Sequence, residues 1–330
     1  MTLSSRGLEK RMLRCVVLDD YQTVATGYPE WAAYADALSV DALSDHISDT
    51  DELVARIGEY DVVVAMRERT EINRSLLERL PRLKLIVTTG MRNASIDVTA
   101  AAELGITVCG TESATAPTVE LTWALILGLA RRIVAENNAL RSGGPWQSTL
   151  GVDLHGRTLG VIGLGRLGSR VARVGTAFGM QTVAWSQNLT ADAAAASGAR
   201  LASSLDELLA VSDVATIHLK LSDRTRGLLG AQQLGAMKPS ALLVNTSRAP
   251  IIDQAALRDT LAHERLGGVA LDVFDVEPLP ADDYLRTAPR LLATPHLGYV
   301  TEENYGTYFF PQAVEDIAAF AAGKAIRVIG

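Results

Sequence analysis

The sequence predicts an α/β protein made of two doubly wound parallel-sheet domains, one inserted in the other. Three observations carry this. Short β-branched runs alternate with longer Ala- and Leu-rich helical patterns almost throughout, the mark of βαβ units. The alternation is interrupted once, by a long helical segment that ends at Ser142-Gly143-Gly144-Pro145, and then begins again. The 330 residues are enough for two hydrophobic cores.

In the first series Cys15–Asp19, Val62–Ala65, Leu85–Thr88 and Thr107–Cys109 read as strands. The helical segment from Pro117 to Leu140 opens on a proline and carries Leu, Trp and Ile on several faces, so both sides are expected to be covered. The second series starts with a strand at Thr158–Gly163, a helix at Leu167–Phe178 and a strand at Thr182–Trp185. Further strands are expected at Val214–Leu219, Leu242–Asn245, Val269–Val273 and Leu291–Ala293. A helix over Gln312–Ala322 and a strand-like Ile326–Ile329 close the chain. The simplest layout sets a central domain, residues 116–299, within an outer domain made of residues 1–115 and 300–330.

Composition narrows the class. The chain is 48% hydrophobic and 21% charged, with no low-complexity tract, as in globular proteins. A net charge of −7 argues against nucleic acid as the main partner, while leaving room for local cationic pockets. Cys15 and Cys109 sit in apolar stretches and read as buried thiols; two cysteines make neither a disulfide framework nor a metal site. The opening MTLSSRGLEKRMLR has no apolar core of a signal peptide, and the longest apolar run, Leu121–Ala130, is too short to span a bilayer. A cytoplasmic location is expected.

The segment TLGVIGLGRLGSRVARVG carries Gly163, Gly165 and Gly168 as G-x-G-x-x-G, between an apolar strand and a helix pattern. That context makes it a dinucleotide-binding turn: the glycines let backbone approach a pyrophosphate, and the helix start offers N–H groups and a positive dipole end. Arg166 and Leu167 lie on the same turn, and Arg166 adds a cation for the phosphates. An acid that binds the ribose hydroxyls is expected at the end of the next strand, but Ser186, Gln187 and Asn188 stand there. The missing carboxylate removes what would repel a 2′-phosphate, yet no arginine adjoins it in sequence. Lys220 is a candidate from another strand end. The choice between NAD and NADP stays open, leaning to NAD.

Three polar residues follow apolar strands late in the chain, where the carboxyl ends of an open sheet form its binding crevice. Arg248 follows LLVNTS, Glu277 follows VALDVFDV and His296 follows LLATP. Together, downstream of the dinucleotide turn, they form a catalytic constellation. GLGRLG, NTSRAP, ALDVFDVEPLP and TPHLGYVT resemble the D-isomer-specific 2-hydroxyacid dehydrogenase family, which includes phosphoglycerate, glycerate, formate and phosphite dehydrogenases. The resemblance runs from about Gly156 to Thr301 and more weakly over most of the chain. One departure is Arg248-Ala249, where the family usually has Arg-Gly.

The resemblance implies a Rossmann-type nucleotide domain inserted in a flavodoxin-like substrate domain, and hydride transfer between NAD(P)(H) and a small 2-oxo or 2-hydroxy acid. Arg248 would hold the carboxylate and carbonyl, His296 would act as acid and base, and Glu277 would orient the imidazole. Asp272 resembles the residue that meets the nicotinamide carboxamide, and Thr246 lies at the same edge. His46, His155, His218 and His263 read as structural or surface residues. In the outer domain VTTGMRNASID resembles the family's glycine-rich substrate loop, with Gly90 and Asp97 matching, Met91 and Arg92 candidate substrate contacts, and Ala94-Ser95 replacing the usual polar pair. Arg67 resembles an arginine lining the same cleft, and Glu120 a glutamate kept at the start of the long helix. The relatives further imply a homodimer through the nucleotide domain, with Leu121–Ala130, Trp123 and Trp146 as candidate surface, and closure of the outer domain over the cofactor. The competing reading is a dinucleotide-sensing scaffold like the C-terminal-binding protein corepressors, which share the Arg/Glu/His set.

Overall fold

The computed structural model describes residues 12–330, which fall into two compact units, residues 12–114 with 301–330 and residues 115–300. Each is built on a parallel sheet, so the fold class is as the sequence predicts.

Unit 1 has strands β1 (Leu13–Val17), β2 (Leu38–Ala42), β3 (Val62–Ala65), β4 (Leu85–Thr88) and β5 (Thr107–Gly110), ordered β2-β1-β3-β4-β5. β3 and β4 are buried throughout, because a parallel sheet covered on both faces tolerates only apolar runs. Helices α1 (Thr50–Ile57), α2 (Arg74–Leu77) and α3 (Val98–Glu103) each start on an acceptor side chain, Asp49, Asn73 and Asp97, that takes a first-turn N–H. The order reverses between β1 and β3, which places a topological switch point there.

Unit 2 opens with α4 (Ala116–Ala130) and α5 (Ile133–Arg141). Its strands are β6 (Thr158–Ile162), β7 (Gln181–Trp185), β8 (Arg200–Leu201), β9 (Val214–Ile217), β10 (Leu242–Asn245), β11 (Gly268–Leu271) and β12 (Leu291–Ala293). They run β12-β11-β10-β9-β6-β7-β8, with the switch point between β6 and β9. Helices α6 (Gly168–Ala177), α7 (Ala191–Ala196), α8 (Leu205–Val211), α9 (Ala231–Gly235) and α10 (Gln254–Ala262) supply the crossovers. The last helix, α11 (Phe310–Ala321), belongs to unit 1; Phe309 and Phe310 are fully buried there, and Phe310 packs on Tyr28 at 4.7 Å.

The structure departs from the expected elements in four places. The helix expected over 117–140 breaks at Arg132, whose φ is +54°, because α4 buries most of its residues and α5 buries none. β2 and β8 went unread: one is a half-buried edge strand and the other only two residues long. Ile326–Ile329 forms a bridge from Val328 to Cys109 rather than a strand. Leu121–Ala130 is mostly core, with Trp123 stacked on Phe178 at 5.0 Å, so this segment is not free for a partner. Both cysteines are buried, and burial pushes the Cys109 thiol up to about 11. Among the described residues no helix is long and apolar enough to cross a membrane, and no cluster of three His, Cys, Asp or Glu is placed to hold a metal ion.

Candidate active site

At the β6 end of unit 2, Gly163 turns the chain with φ +101°, and a Cβ there would lie 2.8 Å from the His218 backbone after β9. A Cβ on Gly168 would lie 2.0 Å from the Gly163 carbonyl oxygen, whereas one on Gly165 would meet nothing within 4 Å. The first and third glycines are demanded by the protein's own packing; the second borders open space. α6 starts at Leu167 with no side-chain cap and no acid in its first turn. Open space at Gly165, an uncapped helix start and the exposed Arg166 beside it fit the pyrophosphate of a dinucleotide. His218 is held against Thr216 at 3.0 Å, and burial pulls its pKa down to about 4, so it is neutral and structural at pH 7.

The β7 end presents no acid. The Ser186 carbonyl accepts Leu189 N–H at 3.1 Å, and Gln187 Nε2 donates to the Arg224 carbonyl at 3.1 Å. No arginine adjoins Ser186 in sequence, but the fold brings one in on the loop after β9.

Arg248, Glu277 and His296 follow β10, β11 and β12, three adjacent strands. The Arg248 turn is locked by Asn245, whose Oδ1 accepts Ser247 N–H at 3.0 Å and whose Nδ2 donates to the Arg248 carbonyl at 3.0 Å. Arg248 Nη1 donates to the Ser247 carbonyl at 2.7 Å. His296 Nδ1 lies 2.6 Å from Glu277 Oε2, and Glu277 Oε1 accepts Phe274 N–H at 2.8 Å, so the carboxylate is held from both sides. The His296 backbone has φ +52°, a left-handed conformation that costs a non-glycine residue about 1 kcal/mol.

Asp272 accounts for how that loop is held. Its Oδ1 accepts the Thr294 hydroxyl and Leu297 N–H, both at 2.7 Å, and its Oδ2 accepts Gly298 N–H at 2.9 Å. Burial pushes the Asp272 carboxyl up, against these hydrogen bonds and the nearby imidazole. Asp272 thus grips the loop that carries His296 on either side of the histidine. Thr246 Oγ1 lies 2.9 Å from Thr122 on α4, and Thr122 donates to the Thr118 carbonyl, so Thr246 donates inward and keeps lone pairs outward.

In unit 1, Arg67 follows β3 with φ +56° and Gly90 follows β4 with φ +125°. Arg67 Nη1 donates to the Thr89 carbonyl at 3.0 Å, and a Cβ on Gly90 would lie 1.9 Å from that nitrogen. The glycine is therefore what lets the guanidinium cross the strand end. Asn93 Nδ2 donates to Thr88 Oγ1 at 2.9 Å, and its Oδ1 accepts Ser95 N–H at 2.8 Å, which shapes the loop bearing exposed Met91 and Arg92. Asp97 caps α3, and Glu120 is exposed on α4.

The description "D-isomer specific 2-hydroxyacid dehydrogenase, NAD binding domain" fits residues 123–298, more than half of the chain. The chain belongs to the D-isomer specific 2-hydroxyacid dehydrogenase family. A glyoxylate reductase of Aeropyrum pernix is 38% identical to this dehydrogenase over 283 residues, covering 83% of this chain and 84% of that one. A D-3-phosphoglycerate dehydrogenase of Methanocaldococcus jannaschii is 38% identical over 256 residues, covering 77% of this chain and 48% of its own. The dehydrogenase therefore spans most of the first relative and about half of the second. A solved phosphoglycerate oxidoreductase from Vibrio cholerae aligns with TM-score 0.90 and 36% identity, over 94% of this chain and 100% of that one. The resemblance read from the motifs is borne out, and with it a nicotinamide dinucleotide as cofactor.

Sequence reasoning missed the unit 1 switch point. Asp19 is buried after β1 with its Oδ1 at 2.9 Å from His46 Nδ1, its Oδ2 accepting the Thr70 hydroxyl at 2.6 Å, and its carbonyl accepting Arg69 Nη1 at 2.6 Å. Arg69 also stacks over Tyr21 at 4.4 Å. His46 is thus a member of a buried polar network rather than an ordinary surface histidine. The only sequence signal was the strand-end pair Asp19-Asp20.

Proposed function

We propose that this dehydrogenase interconverts a small 2-oxo acid and its D-2-hydroxy acid through Arg248, His296 and Glu277. The observation that carries the reading is the His296–Glu277 contact at 2.6 Å, on a loop gripped by Asp272. A reduced nicotinamide supplies the hydride when bound. The planar Arg248 fork binds the carboxylate and polarises the carbonyl oxygen. His296 Nε2 gives its proton to that oxygen as the hydride reaches the carbon, and takes it back in the reverse direction. Glu277 fixes the imidazole through Nδ1. Gly163, Gly165, Arg166, Leu167 and Gly168 receive the pyrophosphate, while Ser186 and Gln187 meet the adenosine ribose and Thr246 and Asp272 border the nicotinamide. Arg67, Gly90, Met91 and Arg92 are the substrate contacts proposed in unit 1. A panel of 2-oxo acids run against NADH and NADPH tests this. Turnover abolished by both Arg248→Ala and His296→Ala supports it; tight dinucleotide binding with no turnover on any acid would move the protein to the sensing-scaffold reading.

A homodimer through unit 2 belongs to the same proposal. α5 buries no residue, and Ile133, Leu140, Trp146 and Leu150 are 53%, 55%, 81% and 95% exposed. Apolar side chains in one such stretch mark an association surface. Sedimentation that finds dimers, and monomers for Trp146→Asp, supports it; a wild-type monomer at micromolar concentration disposes of it.

A further inference from the structure

We propose that Arg224 makes this dehydrogenase prefer the 2′-phosphorylated dinucleotide, NADP(H), over NAD(H). The inference rests on the reading of unit 2 as the nucleotide site and assigns the specificity of that site to a residue outside the dinucleotide turn.

An acid at the end of the second strand of such a sheet binds both ribose hydroxyls and repels a 2′-phosphate. β7 ends instead in Trp185-Ser186-Gln187-Asn188, so that repulsion is gone and a hydroxyl and an amide stand in its place. The fold supplies a cation in its place. The loop after β9 is closed on itself by buried Thr225, whose Oγ1 accepts Ser222 N–H at 2.8 Å and donates to the Lys220 carbonyl at 2.7 Å. Gln187 Nε2 then ties the loop to the β7 end through the Arg224 carbonyl at 3.1 Å. This bond uses one of the two amide protons of Gln187 and leaves the other for a ligand.

Other arginines of this region are committed. Arg200 on β8 is paired with Glu207 at 2.7 Å, and Arg226 lies near enough to Asp275 to offset part of the rise that burial imposes on its carboxyl. Arg224 is exposed, and no carboxylate among the described residues lies within ion-pair distance of it. An uncommitted arginine on a loop tied to an acid-free strand end matches a phosphate monoester, which its fork binds through two hydrogen bonds. Lys220, exposed on the same loop, offers only a point charge, and its chain is fixed only through its own carbonyl.

The test is binding, without turnover. ADP-ribose and 2′-phospho-ADP-ribose are titrated calorimetrically into the full chain and into Arg224→Ala, Gln187→Ala and Lys220→Ala. The 2′-phosphorylated ligand is expected to bind about tenfold tighter or better, as one charge-assisted fork contact implies. Arg224→Ala should remove most of that difference and leave ADP-ribose affinity unchanged; Gln187→Ala should reduce it in part; Lys220→Ala should keep it. Equal affinity for both ligands, tighter ADP-ribose, or a preference lost in Lys220→Ala but kept in Arg224→Ala overturns the assignment. Failure of both ligands, and of NADH and NADPH, to bind would overturn the nucleotide-site reading of unit 2 as well.

Discussion

The carboxyl ends of the two sheets are both crowded with polar side chains, but they are held by different means. In unit 2 two of the three functional groups are fixed by a partner three residues away, Asn245 for the Arg248 turn and Phe274 N–H for Glu277, and only the His296 loop is held from afar, by Asp272. In unit 1 the corresponding groups are fixed across long stretches of chain, Asp19 with His46 and Thr70, Arg67 with Thr89. A site stapled locally leaves a motif that can be read as letters. A site stapled by distant side chains leaves only isolated residues whose meaning appears in three dimensions.

His296→Ala should lower kcat by about 10²–10⁴-fold with dinucleotide affinity intact, since it removes the proton donor alone. Glu277→Gln should cost less, because the amide keeps its place beside Nδ1 and loses only the stronger hold of a carboxylate on the imidazole. A loss as large as that of His296→Ala would mean that the imidazole's orientation depends wholly on the carboxylate. Asp272→Asn keeps the shape but turns one of the two accepting oxygens into a donor, facing a loop N–H it cannot accept. It should lower kcat by about tenfold or more through a loosened His296 loop, with KM for the acid less affected.

The glycines offer a second contrast. Gly168→Ala places a Cβ 2.0 Å from the Gly163 carbonyl and should destabilise the protein by about 1–3 kcal/mol, seen as a lower Tm. Gly165→Ala meets nothing in the protein, so its Tm should hold while dinucleotide binding weakens. In unit 1, Gly90→Ala strikes the Arg67 guanidinium and a backbone at φ +125°, and should raise KM for the acid more than it lowers kcat. If Gly90→Ala leaves KM unchanged, Arg67 does not face the substrate.

These cases show why the sequence disclosed unit 2 so much better. The strands were legible because buried parallel strands admit little but Val, Ile, Leu and Ala, and the G-x-G-x-x-G turn because backbone contact allows no side chain at Gly163 and Gly168. Arg248, Glu277 and His296 were legible as polar residues placed directly after such strands. What stayed hidden depended on contacts distant in sequence. Arg224 reaches the β7 end through a bond between residues 37 apart, and His46 reaches Asp19 across 27. The break at Arg132 has no proline or glycine to announce it and follows from which helix face finds a core.

The last effect concerns stability alone and belongs to unit 1, to a pair on and after α11. Asp316 is fully buried on α11 with Oδ1 at 3.0 Å from Arg327 Nε, while its Oδ2 is buried without a hydrogen bond. Burial outweighs the arginine and pushes the carboxyl up to about 7 from an ordinary value of 3.8. Between those two values the folded protein keeps a proton that the unfolded chain has released. Folding then takes up a proton, so this group's contribution to stability is present below the unfolded pKa and is lost as pH rises toward 7. Asp316→Asn abolishes the titration while keeping the shape. The difference in urea midpoint between wild type and Asp316→Asn should therefore change as pH rises through this window, the variant gaining on the wild type. A difference that stays constant with pH would mean that Arg327 holds Asp316 ionised throughout, and that the unit 1 chain end is sealed by a fully charged pair.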